Sequence, residues 1–106
     1  MGFFKTMIED LIPGQRTFDS FVRVWKGKVY SVANAQLIYD GKHERLYKHS
    51  SGDYFLVWMP MYEDFGYEIY NKYEAIKMLQ SRITNIHKQK QIMSILEAEF
   101  GITLEL

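Results

Sequence analysis

Reactive chemistry has few places to begin in a chain of 106 residues that contains no cysteine and only three histidines, His43, His49 and His87. His43 and His49 share strand parity, but six strand residues hold their side chains about 20 Å apart, too far to bind one ion. His87 has Lys90 and Gln91 three and four residues on, so no second ligand stands beside it on a helix. Ser50-Ser51-Gly52 reads as a hairpin turn and lacks the G-x-S-x-G context of a strained nucleophilic serine. No glycine-rich phosphate loop or dinucleotide fingerprint is present. Glu63 and Asp64 are adjacent acids in a short polar connection. Acid–base work needs burial to split the two pKa values, and a solvated turn does not provide it. The expectation is a protein without a catalytic constellation, a metal site or a cofactor.

The aromatic content is more informative, with eight Tyr, seven Phe and two Trp. If Ser51-Gly52 closes a two-residue hairpin, His49 faces Tyr54, Tyr47 faces Leu56 and Arg45 faces Trp58. One sheet face then gathers Arg45, Tyr47, His49, Tyr54, Leu56 and Trp58, and the other gathers Leu46, Phe55, Val57 and Met59. Side-chain alternation makes this division all or none, because a loop longer by one residue re-sorts every pair. The aliphatic set is the expected core. Arg45, Tyr47, His49, Tyr54 and Trp58 form the expected interaction surface, since aromatic and arginine side chains concentrate at protein contacts. The same rings could stack unpaired bases, worth about 1–3 kcal/mol per base. They could equally be plain core under a helix, with the tyrosine hydroxyls at the rim. A smaller signal is a basic edge of Arg82, Lys88 and Lys90 with His87, in a stretch without acids from Glu74 to Glu97. It reads as a solvated helix face, with a weak anion-contacting edge as the alternative. A helix-turn-helix is rejected, because no glycine marks a tight turn near Asn85.

These side chains need elements to position them. Phe3, Phe4, Met7, Ile8, Leu11 and Ile12 recur at three- and four-residue spacing, predicting a short amphipathic helix that Pro13-Gly14 ends. Met1-Gly2 with Thr6 fits three positions of a myristoylation pattern, but no basic patch follows and an ordinary helix start is expected. Segments rich in Val, Ile, Tyr, Phe and Trp then alternate with glycine turns. Lys26-Gly27 is expected to join strands 21–25 and 28–32, although Phe18, Phe21, Val22 and Trp25 also fit a helical period. Asp40-Gly41, a type I′ signal, is expected to join 36–39 to 42–49. Ser51-Gly52 leads into 53–59, and 66–70 is a possible last strand.

Asn71 with Glu74 makes a capping-box signature, so a helix should begin there. Ile76, Leu79, Ile83, Ile86, Met93, Leu96 and Phe100 hold one stripe, predicting one long helix or two broken near Thr84-Asn85. Gly101 is a helix stop. Ile102, Leu104 and Leu106 alternate as a half-buried strand would, and such a strand would offer an edge for association.

Length and lack of linkers predict a single domain spanning 1–106. The predicted class is α+β: an antiparallel meander of four to six strands packed against an N-terminal helix and a helical C-terminal third. Thirteen basic and thirteen acidic residues cancel. That excludes binding nucleic acid by bulk positive charge and removes the repulsion that opposes self-association. No apolar run approaches the roughly 20 residues of a membrane span, and the absence of cysteine suits the cytoplasm. The expected function is a small non-catalytic interaction or regulatory domain that binds a protein partner or pairs as a homodimer. Single-stranded nucleic-acid binding is the alternative.

Overall fold

The computed structural model describes residues 17–60 and 64–106. The helix expected over 3–12 lies outside these residues, as does Glu63. Within them are six strands, two α-helices and two short 3-10 turns, Phe18–Ser20 and Val32–Asn34. The strands are β1 (Val22–Trp25), β2 (Lys28–Ser31), β3 (Gln36–Asp40), β4 (Glu44–Lys48), β5 (Tyr54–Trp58) and β6 (Gly66–Tyr70). The helices are α1 (Lys72–Ser81) and α2 (Ile86–Phe100). The α+β class and antiparallel pairing are as expected. The meander, however, divides: β1 and β2 form a separate hairpin, while β3-β4-β5-β6 form one four-stranded sheet.

Local chemistry explains most boundaries. Lys26 and Gly27 both adopt positive φ, as a two-residue type I′ turn requires, and Trp25 pairs with Lys28 across it. The β3–β4 turn is not the Asp40-Gly41 type I′ turn. Its positive φ falls on Lys42, and the loop runs from Gly41 to His43. Gly41 is needed there for room, because a Cβ would lie 2.7 Å from the Tyr39 hydroxyl. Ile38 is an extra residue between the pairs Leu37–Tyr47 and Tyr39–Leu46, a bulge that lets both Ile38 and Tyr39 pack toward the helices.

The Asn71 capping box is complete: its side chain accepts from the Glu74 amide, and the Glu74 carboxylate accepts from the Asn71 amide. Asn85 caps a second helix by accepting from the Lys88 amide, so the 72–100 stripe is two helices. Gly101 turns the chain left-handed, and the Ile102 amide bonds back to the Leu96 carbonyl. That closure corrects the expected terminal strand. No strand forms over 102–106; Ile102 and Leu104 pack back onto the core and Leu106 is exposed.

The four-stranded sheet has two differently covered faces. On one, α1 and α2 bury Tyr39, Leu46, Tyr54 and Leu56 with Ala75, Met78, Leu79, Ile92 and Leu96. On the other, the β1–β2 hairpin and the 3-10 turns bury Phe18, Phe21, Tyr30 and Val32 against Tyr47, Phe55 and Val57. Each fully buried large apolar side chain contributes about 1.5–3 kcal/mol. Among the described residues no helix is long and apolar enough to cross a membrane.

Candidate interaction surfaces

The β4–β5 register decides which side chains share a face. Tyr47 pairs with Phe55, Lys48 with Tyr54, Arg45 with Val57 and Glu44 with Trp58. The expected pairs Tyr47–Leu56 and Arg45–Trp58 are therefore displaced by one residue. The cause is the turn: the His49 amide bonds to the Asp53 carbonyl and the Gly52 amide to the His49 carbonyl, so the loop is longer than Ser51-Gly52 alone. One added residue flips the parity of the whole second strand.

The expected aromatic surface is consequently split between opposite faces. Tyr47 lies under the hairpin, buried against Phe55, their rings 5.4 Å apart. Arg45 is on the same face, 4.6 Å from the Phe18 ring centroid and 3.4 Å from Asp40. Tyr54 and Trp58 lie on the helix side. Tyr54 is buried, and its hydroxyl donates to Glu99 Oε2 at 2.7 Å. Trp58 is half-buried over Gly66, where a Cβ would come within 2.1 Å of the indole. With Tyr47 and Tyr54 both buried and facing opposite ways, no stacking platform of that composition stands on the surface.

His49 works as a fastener. The Ser51 amide donates to its Nδ1 at 3.0 Å, so Nε2 carries the proton and donates to the Val29 carbonyl at 2.9 Å. Its ring lies 4.5 Å from that of Tyr30. Beside it, Asp53 accepts from Lys28 at 3.0 Å, and this bond holds its carboxyl below the usual range. Together these contacts tie β2 to the β4–β5 turn.

The basic edge is also partly spoken for. Arg82 grips Glu44 with two hydrogen bonds, at 2.5 and 2.9 Å, joining the end of α1 to β4. Lys88 donates to the Tyr39 hydroxyl at 2.8 Å. His87 and Lys90 are exposed. Arg82 and Lys88 thus hold the helices to the sheet.

On the helix side, Glu99 takes hydrogen bonds from both Tyr54 and Lys48, the latter at 2.8 Å. Burial acts to raise the Glu99 pKa, but these two donors together hold it below the usual carboxylate value. Burial, with the Glu99 carboxylate beside it, pushes the Tyr54 phenol strongly upward.

The structure leaves a different surface open. Of the large hydrophobics exposed among the described residues, Val22 (49%), Val24 (68%), Trp25 (38%) and Val29 (54%) all sit on the hairpin. Val24 pairs with Val29 and Val22 with Ser31, so the three valines share the hairpin's outer side, while Phe21 and Tyr30 are fully buried beneath. The sequence signal was present, since Phe21-Val22-Arg23-Val24-Trp25 is apolar on both strand faces, but only one face of a strand pair can meet the sheet.

A second open feature is a cleft of about 530 Å³ at β6, lined by Trp25, Tyr67, Glu68, Ile69, Tyr70 and Glu74. Burial and the neighbouring Glu68 carboxylate push the Tyr70 phenol up to about 12. Among the described residues no three His, Asp or Glu side chains gather in a way that could hold a metal. Comparison of the chain with protein-family models, curated proteins and solved structures finds no match in any of the three.

Proposed function

We propose that this chain is a small non-catalytic interaction domain that acts by associating with protein, first of all with a second copy of itself, in a cytoplasmic setting. The observation that carries this reading is the outer face of the β1–β2 hairpin, where Val22, Val24 and Val29 stand in solvent on alternate pairs. β-Branched side chains on a hairpin face are suited to packing against an equivalent face across a twofold axis. A net charge of zero leaves no overall repulsion between copies. Three valines are a small patch beside the roughly 800 Å² per partner of a standard interface, so the pairing is weak and depends on concentration.

The test is sedimentation velocity across a concentration series for the natural chain and for Val24→Asp. Val24 is largely exposed, so the substitution leaves the fold intact, which circular dichroism checks. The expected outcome is a concentration-dependent dimer that Val24→Asp converts to monomer. A natural chain that stays monomeric throughout, or a dimer indifferent to Val24→Asp, overturns the self-association reading.

A further inference from the structure

The four-stranded sheet ends in two edges of different character. At β3 the edge is interrupted by the Ile38 bulge, which breaks the regular spacing an added strand would need. The cleft beside it is small, about 250 Å³, and the carboxylate that lines it among the described residues, Glu99, already serves Lys48 and Tyr54. At the other end, β6 pairs with β5 through five consecutive residues without irregularity, from Tyr54–Tyr70 to Trp58–Gly66. No strand among the described residues pairs with its far side. An unbulged, unpaired edge presents a row of backbone donors and acceptors to an incoming chain.

The larger cleft lies across this edge. Tyr67 and Ile69 pair with Val57 and Phe55 and so belong to the hairpin side; Glu68 and Tyr70 pair with Leu56 and Tyr54 and belong to the helix side. Trp25 closes the hairpin side and Glu74 of α1 closes the helix side. The two walls therefore differ, with Trp25, Tyr67 and Ile69 on one and Glu68, Tyr70 and Glu74 on the other. Among the described residues no basic side chain lines the cleft. The cations that touch its lining residues are already engaged within the chain: Arg23 lies 6.0 Å from the Tyr67 ring centroid and pairs with Asp64 at 2.5 Å, Lys26 Nζ sits 4.5 Å from the Trp25 ring centroid, and Arg82, which acts on Tyr70, is bonded to Glu44.

A strand laid along β6 would send alternate side chains to alternate walls. We propose that the free edge of β6 takes up an extended basic peptide by strand addition, with Lys or Arg side chains entering between Glu68 and Glu74 and the intervening apolar side chains lying against Trp25, Tyr67 and Ile69. Main-chain hydrogen bonds supply affinity in this mode, and the two unlike walls supply the preference for an alternating basic–apolar sequence. The surface is distinct from the hairpin's outer valines, so this inference stands whether or not the chain pairs with itself.

The experiment is an amide-shift titration of isotopically labelled protein, at a concentration where sedimentation shows one species. Three capped peptides serve as probes: one alternating Lys with Val, one with Glu in place of Lys, and the Lys peptide N-methylated at alternate residues. Expected are shifts confined to 66–70 and the Trp25 indole with the Lys peptide, and binding weaker by about tenfold or more with each of the other two. The double variant Glu68→Gln, Glu74→Gln should weaken the Lys peptide by a similar factor, with glutamine keeping the capping box. No shift with millimolar Lys peptide overturns the proposal. So does equal binding of the Glu peptide, which would remove the charge preference, or of the N-methylated peptide, which would make the cleft a cation site without strand addition.

Discussion

The two faces of the four-stranded sheet are covered by different means. The helix side is sealed by two capped helices whose apolar stripes bury Leu79, Ile92 and Leu96 completely, and ion-pair and hydrogen-bond clamps fasten the seam at Arg82–Glu44, Lys48–Glu99 and Lys88–Tyr39. The hairpin side is sealed by two four-residue strands, and its interior is largely rings. Phe55 has Phe21 at 5.8 Å, Tyr47 at 5.4 Å and Tyr30 at 5.5 Å. An isolated two-stranded hairpin is marginal in water. This one persists because Phe21 and Tyr30 are buried on the sheet and because His49 and Asp53 hold β2. A thin cover with an apolar outer surface is also the part of the molecule best placed to exchange partners, since low local stability and binding surfaces commonly coincide.

The largest expected effects test whether the two covers open separately. Leu79→Ala removes a fully buried side chain under the helices and should cost about 2–5 kcal/mol; Phe21→Ala should cost about 3–5 kcal/mol if hairpin and sheet unfold as one unit. Native-state hydrogen exchange separates the cases. We expect Leu79→Ala to lower amide protection throughout. We expect Phe21→Ala to abolish protection over 22–31 while α2 keeps most of its own, with a global loss smaller than the all-or-none figure. Equal loss of protection everywhere in both variants would show a single cooperative unit and break the comparison.

The sequence made the helix side easy to read and the hairpin side hard, for a physical reason. Helix signals are local: Asn71 with Glu74, Asn85 before Ile86, and Gly101 each act within four residues, and all three occupy the structural roles their types suggest. Sheet facing is not local. It depended on the β4–β5 loop, where a single residue moved Tyr54 and Trp58 to the face opposite Tyr47. The Ile38 bulge repeats the lesson at β3, because no residue type marks it. The separation of β1–β2 from the main sheet depends on contacts across the fold, with Phe21 against Phe55 at a separation of thirty-four positions. The apolar face of the hairpin was visible as a pattern, but which half of it would stay in water was a tertiary decision.

Carboxylate titration sharpens the contrast at intermediate size. Glu99 on the helix side and Asp53 on the hairpin side both have pKa values lowered on folding. A lowered carboxylate contributes stability that is present above its unfolded value and is lost as pH falls through its folded value. Both regions should therefore weaken on acidification below the usual carboxylate range. Each carboxylate has two side-chain donors, but Glu99 is the more enclosed, so Glu99→Gln should cost about 1–2 kcal/mol at neutral pH. It should also flatten the acid limb of a stability–pH curve. Asp53→Asn should change global stability less and act on protection of β2. A Glu99→Gln variant with an unaltered acid limb would show that Lys48 and Tyr54 do not hold the charge.

The smallest effect concerns the joint between the helices. Asn85 accepts from the Lys88 amide at 2.9 Å and begins α2 after a four-residue connection. Unlike Asn71, it has no reciprocal acid three residues on, because Lys88 occupies that place. Asn85→Ala therefore removes the side-chain cap outright and should cost about 1 kcal/mol. Lys88 itself donates to Tyr39 from this first turn, so fraying there should also loosen that contact with the sheet. The expected signature is faster exchange at the 87–89 amides and a small drop in thermal midpoint, with β1 and β2 unchanged. A matching loss of protection in the hairpin would mean that the two covers communicate through the sheet, through Tyr39 and Leu46 to Tyr47, and that the thin cover is tuned by the thick one.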